Sequence, residues 1–494
     1  MRNKLRIFFR SYPLFAWLLP IFFVLHGYTE FYNLIPVKDS ALLVLKYLIV
    51  ATLLVALAWF FFRNIFKASI LVFLLLAYNF FFGPAHDWIK QQFPGSLFSR
   101  YSFILSASLL AFVLLTFFLK KRKKTFYKAT SYLNLLLLIF LIIDAGILIN
   151  KLTQKDSKTL ITDEFIKCND CIKPDVYYIM ADEYAGRKQL TEMFKFDNSA
   201  FENELKKRGF HIIEDSKSNY NFTRFSASSI LNMNYINGIE GRNQSIHDRK
   251  ICQDKMQNNT MFRFFKIQGY ETYNYSPFFI KDHPYLAKPS FLPQYTGPLV
   301  SQTFLSRIEK DLWFHLETDL GLQGLRENAI YNDKRNNDLF LRLTKKAAAR
   351  QTEQPKFVYT HLIMPHNPYY FDKDGKEIPY NNLKAEKTPE MDLYLNYLIY
   401  SNNIFLNLID TIRASAKRPY IIILISDHGF KHLPNYPHAE KYHFTNFNSI
   451  LLPDSNYAPF YDGISNVNEF RVLLNSRFNQ KLSLLKDSTS FLTE

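Results

Sequence analysis

Long apolar runs fill the first 150 residues and are nearly absent from the rest of the chain. Five runs approach the length of about 20 residues that an α-helix needs to cross a hydrocarbon core. They are Pro13–Tyr32, Ala41–Phe62, Ala68–Phe82, Tyr101–Leu119 and Tyr132–Asn150. The third run is the shortest and is expected to end at Gly83-Pro84. The pattern therefore predicts an α-helical transmembrane bundle with five spans over residues 1–150.

A different pattern begins at Pro174, after a polar segment over residues 151–173 that is predicted to be a linker. Continuous β-prone runs, typical of strands buried on both faces of a sheet, cover Asp175–Asp182, Lys356–Ile363 and Tyr420–Asp427. Helical patterns lie between them, notably over Asn198–Arg208, Phe225–Tyr235 and Glu390–Arg413. This alternation of strands and helices predicts an α/β/α sandwich over residues 174–494.

The composition fits a folded membrane protein. Apolar residues make up 48% of the 494 residues and charged residues 21%, a balance too apolar for a disordered chain. The net charge of +16 would suit nucleic acid, but much of the basic excess lies in short clusters beside the apolar runs. Lys and Arg in that position orient membrane helices, so we expect no nucleic-acid partner.

Three basic clusters fall on one side of the membrane if the N-terminus is cytoplasmic. They are Arg2, Lys4, Arg6 and Arg10; Arg63 and Lys67; and residues 120–124 with Lys128. This is the positive-inside distribution, and no small-residue cleavage site follows the first run. We expect an integral protein of the bacterial inner (plasma) membrane, with everything after Asn150 in the periplasm or outside the cell.

Three ionisable side chains lie within or next to the apolar runs, and each needs a polar environment. Asp144 lies deep in the fifth run, where a charge is costly in lipid, and is expected to face the bundle interior without an assigned role. His86 and Asp87 follow the third run and are expected in a solvated loop.

The cysteines are too few for a disulfide framework or a zinc knuckle. Cys168 and Cys171 form a Cys-x-x-Cys pair, and Cys252 lies far from them in sequence. A local disulfide in an oxidising compartment and free buried thiols are equally good interpretations of the pair.

Acidic and imidazole side chains follow the predicted strands at their carboxyl ends, where ligands collect in open α/β sheets. The segments are Asp182-Glu183, His366-Asn367-Pro368 and Asp427-His428-Gly429. If they converge, their oxygen and nitrogen donors suit a divalent metal such as manganese or zinc. Taken singly, each is better explained as a turn residue that caps the next helix, whereas the three together favour a metal site.

Thr223 is the candidate nucleophile, because it lies where the predicted helix Phe225–Tyr235 begins. The helix dipole and the exposed amides at such a position favour an alkoxide and the phosphate that it attacks. A bound metal would lower the pKa of the hydroxyl further. The simpler interpretation is an N-cap, and the sequence alone favours it.

These motifs resemble the alkaline phosphatase superfamily, specifically its membrane-anchored sulfatase-like branch of lipoteichoic acid synthases and lipid A phosphoethanolamine transferases. The segments that carry the resemblance are Asp175–Asp182, Asn219–Thr223, Phe357–Phe371 (FVYTHLIMPHNPYYF) and Ile422–Gly429 (IILISDHG). They follow the family's order and approximate spacing over most of residues 174–453. Five spans before an extracytoplasmic catalytic domain is also the layout of such transferases.

The resemblance implies a ligand set for one divalent metal, manganese or zinc: Asp182, Thr223, Asp427 and His428, with Thr223 as nucleophile. It also implies that His366 contacts the substrate phosphate or the leaving group. His361 matches a further family histidine, although a core histidine at a strand end is the alternative. His443 could be the later substrate-binding histidine of the family, but its spacing does not match cleanly and His438 competes.

Glu183 leaves room for a second metal, as in two-metal relatives, but we expect it to be exposed beside the site.

One departure from the family pattern distinguishes between the branches of the family. Sulfatases proper make formylglycine from a C/S-x-P-x-R element, whereas this chain has Thr223-Arg224-Phe225-Ser226-Ala227. Sulfate-ester hydrolysis by that route is therefore not expected.

The resemblance implies transfer of a phosphoglycerol or phosphoethanolamine head group. The donor would be a membrane phospholipid and the acceptor an envelope glycan or lipid, with a phospho-threonine intermediate. One alternative is a hydrolase with the same residues, a phosphodiesterase or an unusual sulfatase that uses water as acceptor. Another is a non-catalytic protein of envelope assembly, against which the intact set of implied ligands argues.

Overall fold

The computed structural model describes residues 11–32, 35–123, 126–153, 165–239, 246–283, 296–311, 330–383, 390–432 and 436–493. The chain divides into two compact units. The first comprises residues 1–157 and 289–323, and the second comprises residues 158–288 and 324–494. Residues 289–323 thus belong to the first unit, although the sequence pattern assigns them to the sandwich.

The first unit contains five long helices in its N-terminal part: α1 Phe15–Glu30, α2 Val37–Phe62, α3 Ile65–Gln92, α4 Tyr101–Lys121 and α5 Tyr127–Thr153. Within the described residues, α2 to α5 are long and apolar enough to cross a membrane. The helix α1 has 16 residues and falls short of that length, so the structure supports four spans and does not confirm five.

The helix α3 corrects the expected end of the third run, because it continues through Gly83-Pro84 to Gln92. Proline has no N–H, and a helix normally kinks or ends there. Here the N–H of Gly83 donates to the carbonyl of Gln302 instead of to its own helix (2.8 Å). This bond ties α3 to the segment that contains Gln302.

Gln302 belongs to a helical pair, α11 Gly297–Val300 and α12 Phe304–Asp311, that packs within the first unit. Asn79 of α3 accepts from the N–H of Leu305 (3.3 Å), and Asp87 pairs with Arg307. His86 is buried in α3, where its Nε2 lies 3.0 Å from the carbonyl oxygen of Ser99. The expected solvated loop at His86 and Asp87 is therefore wrong.

The helices α1 and α5 run parallel and contact each other along their length. The side chain of Asn134 accepts from the N–H of Phe15 (2.7 Å), which caps the start of α1. Further along, His26 Nδ1 lies 3.1 Å from Asp144 Oδ1, and the ammonium of Lys151 donates to the carbonyl of Thr29 (2.6 Å). Asp144 is thus buried against α1 rather than exposed to lipid.

The second unit contains a mixed six-stranded sheet in the order β2-β6-β5-β1-β4-β3. The strands are β1 Asp175–Asp182, β2 His211–Ile212, β3 Glu271–Tyr275, β4 Lys356–Pro365, β5 Tyr420–Ser426 and β6 Asn448–Leu451. The strands β3, β4, β1 and β5 are parallel, with β3 at one edge of the sheet, while β6 pairs antiparallel with β5 and with β2.

Helices cover both faces of this sheet. They are α6 Arg187–Glu192, α7 Ser199–Lys207, α8 Thr223–Asn232, α9 Ile246–Gln257, α10 Thr260–Ile267, α13 Asn332–Ala349, α14 Tyr380–Leu383, α15 Glu390–Ser415 and α16 Asn466–Arg477. Alternate residues of β1 point to opposite faces. Tyr177 and Ile179 join the core under α13 and α15, whereas Val176 and Tyr178 join the core under α8, α10 and α16. The second unit is therefore an α/β/α sandwich.

Cys168 and Cys171 form a disulfide just before β1, which selects the first of the two interpretations of the Cys-x-x-Cys pair. Cys252 is a free thiol buried in α9.

Candidate active site

The carboxyl ends of three adjacent parallel strands bring the candidate residues together. Ala181 of β1 is paired with Ser426 of β5, so Asp182 and Asp427 follow side by side. Asp182 is also in register with Pro365 of β4, so His366 comes next on the other side. Neighbouring parallel strands end at one edge of the sheet, which is where ligands bind in such sheets.

Thr223 is the first residue of α8, and its side chain points to the ends of β1 and β5. Its hydroxyl donates to Asp182 Oδ1 (3.2 Å) and lies 3.1 Å from His428 Nε2. Phe222, not Thr223, occupies the N-cap position of α8, and no side chain caps the helix there. The N-cap interpretation of Thr223 is therefore wrong, since its oxygen turns away from the helix amides.

The helix α8 is held against the same strand end. The hydroxyl of Ser226, one turn into the helix, donates to the carbonyl of Asp427 (2.5 Å). Phe225 and Ile230 are buried beneath the helix. This anchoring fixes the position of Thr223 relative to Asp427.

Asp182, Asp427 and His428 could together hold a metal ion. Each offers a ligand atom, and these atoms all lie within 4.8 Å of one another. All three side chains are buried, and Asp427 Oδ2 has no hydrogen-bond partner in the described part of the chain. A buried carboxylate oxygen without a partner is costly. With the adjacent Thr223 oxygen, the donors form a set of four that fits a small divalent cation.

The pKa values of this group are shifted because the carboxylates of Asp182 and Asp427 are buried close together. Burial, followed by the charge of Asp182, raises the pKa of Asp427 well above its usual range. Burial opposes ionisation of Asp182 too, but His366 and His361 outweigh it and the pKa of Asp182 is lowered. Burial, followed by the positive charge of Lys431, lowers the pKa of His428 to about 4. His428 is therefore neutral near pH 7, as a metal ligand must be.

A second group that could hold a metal consists of Glu183, His366 and His432. Glu183 Oε2 lies 3.2 Å from His432 Nε2 and 3.6 Å from His366 Nε2. The side chain of Glu183 is 0% exposed, so its expected exposure is wrong. The reason is the left-handed backbone at Glu183 (φ 61°), which turns the chain back so that Oε1 accepts the N–H of Lys431 (3.0 Å).

His432 is a site residue that the sequence pattern did not predict. A signal was present, because this residue follows His428 by four positions in the segment after β5. A histidine in that position returns to the strand end because the backbone of Lys431 is tied to Glu183.

The remaining histidines differ in their relation to the site. His361 is fully buried in β4, with Nε2 3.4 Å from Asp182 Oδ2 and Nδ1 3.0 Å from the hydroxyl of Tyr359. The carbonyl of His443 accepts the N–H of Gly429 (2.9 Å), which places His443 close to His428 and Asp427. Burial, followed by the charge of Lys431, lowers the pKa of His443 to about 4. His438 is exposed, so the geometry favours His443.

Comparison with known families agrees with this geometry. Residues 221–453 match the family model described as Sulfatase. This segment of the chain is similar to the sulfatase family. The match includes Thr223, His366, Asp427 and His428, whereas Asp182 lies before it. Among the described residues, four apolar helices long enough to span a membrane precede the matched segment.

Solved structures with similar folds include phosphoethanolamine transferases. The C-terminal periplasmic domain of EptC from Campylobacter jejuni has 16% identity and a TM-score of 0.38, and the match covers 64% of this chain and 93% of that one. The zinc complex of the EptC periplasmic domain from Escherichia coli has 11% identity, a TM-score of 0.37 and coverage of 63% and 84%.

The integral membrane lipooligosaccharide phosphoethanolamine transferase A from Neisseria meningitidis has 9% identity and a TM-score of 0.37, with coverage of 97% of this chain and 96% of that one. No curated protein matches the sequence significantly. Because these TM-scores are low, we base the function of the chain on its own residues.

Proposed function

We propose that this enzyme transfers a phospho-head group, phosphoglycerol or phosphoethanolamine, from a membrane phospholipid to an envelope glycan or lipid through a phospho-threonine at Thr223. The observation that carries the proposal is the position of the Thr223 hydroxyl, which contacts both Asp182 (3.2 Å) and His428 (3.1 Å) at the start of a helix. A hydroxyl in that position is activated as a nucleophile, and the positive helix end attracts the phosphate.

The proposed reaction has two balanced steps. First, a bond forms between the Thr223 oxygen and phosphorus, the bond between phosphorus and the diacylglycerol oxygen breaks, and the hydroxyl proton ends on diacylglycerol. Second, an oxygen of the acceptor hydroxyl or phosphate forms a bond to phosphorus and the bond between phosphorus and the Thr223 oxygen breaks. The Thr223 oxygen takes up the proton that a hydroxyl acceptor loses, or a proton from solvent when the acceptor is a phosphate, and is again a free hydroxyl. His366, whose side chain is 25% exposed, would protonate the departing oxygen.

Asp182, Thr223, Asp427 and His428 would hold one divalent cation, manganese or zinc. Such a cation lowers the pKa of a hydroxyl ligand and neutralises the charge that develops on phosphoryl oxygens. The partnerless Asp427 Oδ2 supports this assignment, because a cation would satisfy it.

Glu183, His366 and His432 would hold a second cation. Glu183 Oε2 and His432 Nε2 lie 3.2 Å apart in a buried position, a separation that two ligands of one cation can have. A cation bound there would occupy His366 and prevent it from protonating the leaving group. His366 therefore cannot bind this cation and protonate the leaving group at the same time. The number of metal ions bound by the protein distinguishes the two roles.

The residues around Thr223 favour phosphoryl transfer over the sulfatase route. Formylglycine is made from Cys or Ser, whereas this chain has Thr223, and Phe225 stands where that element has proline. A threonine hydroxyl is retained as a nucleophile and forms a phosphoester directly.

We also propose that α1 is a fifth span and that its N-terminus is cytoplasmic. The parallel contact between α1 and α5 supports this topology, because the first and fifth of five successive spans cross in the same direction. The pair between Asp87 and Arg307 supports it as well, since Arg307 belongs to a segment inserted in the sequence of the extracytoplasmic unit. The membrane unit would hold the active site near its lipid donor and raise the effective concentration of that donor.

The proposal is tested by following both products of the full-length protein in detergent with manganese or zinc and vesicles of phosphatidylglycerol or phosphatidylethanolamine. We expect release of diacylglycerol and appearance of the head group on an added glycolipid acceptor. Thr223→Ala should abolish both products, while Thr191→Ala, at an exposed position in α6, should retain them. Free phospho-head group in place of acceptor product would show a hydrolase, and no diacylglycerol from any lipid would overturn the proposal.

A further inference from the structure

Lys431 lies three residues after His428, in the segment that leads away from β5. Its backbone N–H donates to Glu183 Oε1 (3.0 Å), so its position is fixed by a fully buried carboxylate of the site. The side chain is half-buried. The backbone of Lys431 is thus part of the architecture that holds Glu183 and His432.

The ammonium of Lys431 extends to the residue before the nucleophile. It lies 4.3 Å from the centroid of the Phe222 ring. A cation over an aromatic face is held there by the ring quadrupole. Because Phe222 and Thr223 are consecutive, this contact keeps a positive charge beside the start of α8.

The charge of the Lys431 ammonium contributes to the pKa shifts of three side chains in the site. After burial, it is the next cause of the lowered pKa of about 4 at both His428 and His443. It also favours the ionised form of Asp427, against the larger effect of burial. Asp427 and His428 directly follow β5, and His443 lies in the turn that precedes β6.

Lys431 has no anionic partner of its own in the described part of the chain. No Asp or Glu oxygen lies within 4.0 Å of its ammonium there. Lys441, by comparison, pairs with Glu192 at 3.7 Å and is 55% exposed. An ammonium without a carboxylate, held beside a nucleophile, is available to an anionic ligand.

We propose that Lys431 is a substrate-binding residue whose ammonium holds a non-bridging phosphoryl oxygen of the donor while Thr223 attacks. The inference rests on the proposed function and deepens it, because it assigns the recognition of the phosphate to a side chain that is not a metal ligand. Lys431 would also hold the phosphoryl group of the covalent intermediate after diacylglycerol leaves.

The test measures binding of inorganic phosphate to the metal-loaded, full-length protein in detergent, together with the KM for the phospholipid. Lys431→Met should weaken phosphate binding by roughly 10- to 100-fold, the loss expected when a charged hydrogen bond is removed, and raise the KM. Lys431→Arg should stay within a few-fold of the wild type, since it keeps the positive charge. Metal content should not change in either variant.

Lys441→Met is the matched control, because it removes the same charge from the same segment and should bind phosphate as the wild type does. The inference is overturned if Lys431→Met also binds phosphate as the wild type does. It is likewise overturned if Lys431→Met and Lys431→Arg lose phosphate binding equally and both lower the Tm, since Lys431 would then only support the fold. A wild type that binds phosphate in this pattern but releases no diacylglycerol would retain the inference and reject the proposed function.

Discussion

The backbone N–H of Glu183 donates to Oδ1 of Asp427 across 2.9 Å, and this bond joins the ends of β1 and β5. The same oxygen accepts the N–H of His428 (2.8 Å). One carboxylate oxygen of Asp427 therefore joins the ends of two strands, while the other accepts no hydrogen bond within the described residues and lies 3.4 Å from His428 Nε2. In the proposed metal site, Oδ1 would serve the fold and Oδ2 would bind the cation.

Asp427→Asn should fold but bind metal poorly. The asparagine keeps an oxygen that accepts both N–H groups, and it loses the charged ligand atom. We expect metal affinity to fall by at least about 100-fold, and the rise in Tm on metal addition to disappear. Calorimetric titration and thermal unfolding of the full-length protein measure both quantities. Asp462→Asn is the control, because Asp462 also accepts a backbone N–H, from Glu214, at an exposed position; equal metal binding by both variants would contradict the ligand assignment.

His432→Ala tests the second metal. If Glu183, His366 and His432 bind a cation, elemental analysis should find two metal ions in the wild type and one in this variant. His438→Ala, which changes an exposed histidine of the same segment, should retain both ions. A single ion in the wild type would exclude the second site and leave His366 free to act as an acid.

Glu469→Gln should remove a pH dependence of stability. Burial raises the pKa of Glu469 from 4.5 to about 7, although Asn448 donates to it (2.9 Å). Because the folded pKa is the higher one, the protein loses stability as pH rises from about 5 to about 7, by about 3 kcal/mol in total. Calorimetric Tm values at about pH 5 and about pH 8 should differ less in this variant than in the wild type or in Glu440→Gln, an exposed control. If the difference in Tm between the two pH values is the same in Glu469→Gln as in the wild type, Glu469 is not a buried carboxyl that ionises in this pH range.

Gly83→Ala should release the helical pair α11 and α12 from α3. A Cβ at this position would lie 2.6 Å from the carbonyl oxygen of Gln302, closer than such contacts allow. Limited proteolysis should therefore cut residues 296–311 faster in this variant. Gly146→Ala is the matched control, because a Cβ there meets nothing within 4 Å. Equal cleavage of the two variants would show that the close approach at Gly83 does not hold the segment.

Much of the sandwich was predictable from its sequence, because buried strands carry a strong pattern. The run Asp175–Asp182 is the observed β1, and the run Tyr420–Asp427 differs from β5 by one residue. Since adjacent parallel strands end together, the convergence of Asp182 and Asp427 followed from the pattern as well.

The remaining features depend on contacts that no local pattern encodes. The burial of Glu183 follows from a left-handed backbone and from a bond to Lys431, which is distant in sequence. The bond from Gly83 to Gln302 joins α3 to a segment that is distant in sequence. Thr223 looked like a helix cap because its position in sequence is right for one, and only the direction of its side chain distinguishes the two roles.

Peptide mass spectrometry of Thr223 after incubation with metal and phospholipid tests the central claim most directly. The account predicts a metal-dependent adduct on Thr223 whose mass equals the phospho-head group of the lipid supplied. The adduct should be absent from Thr223→Ala and present on the serine of Thr223→Ser, which keeps a hydroxyl at the same place. Release of diacylglycerol without any adduct on Thr223, even when the acceptor is withheld, would contradict the account.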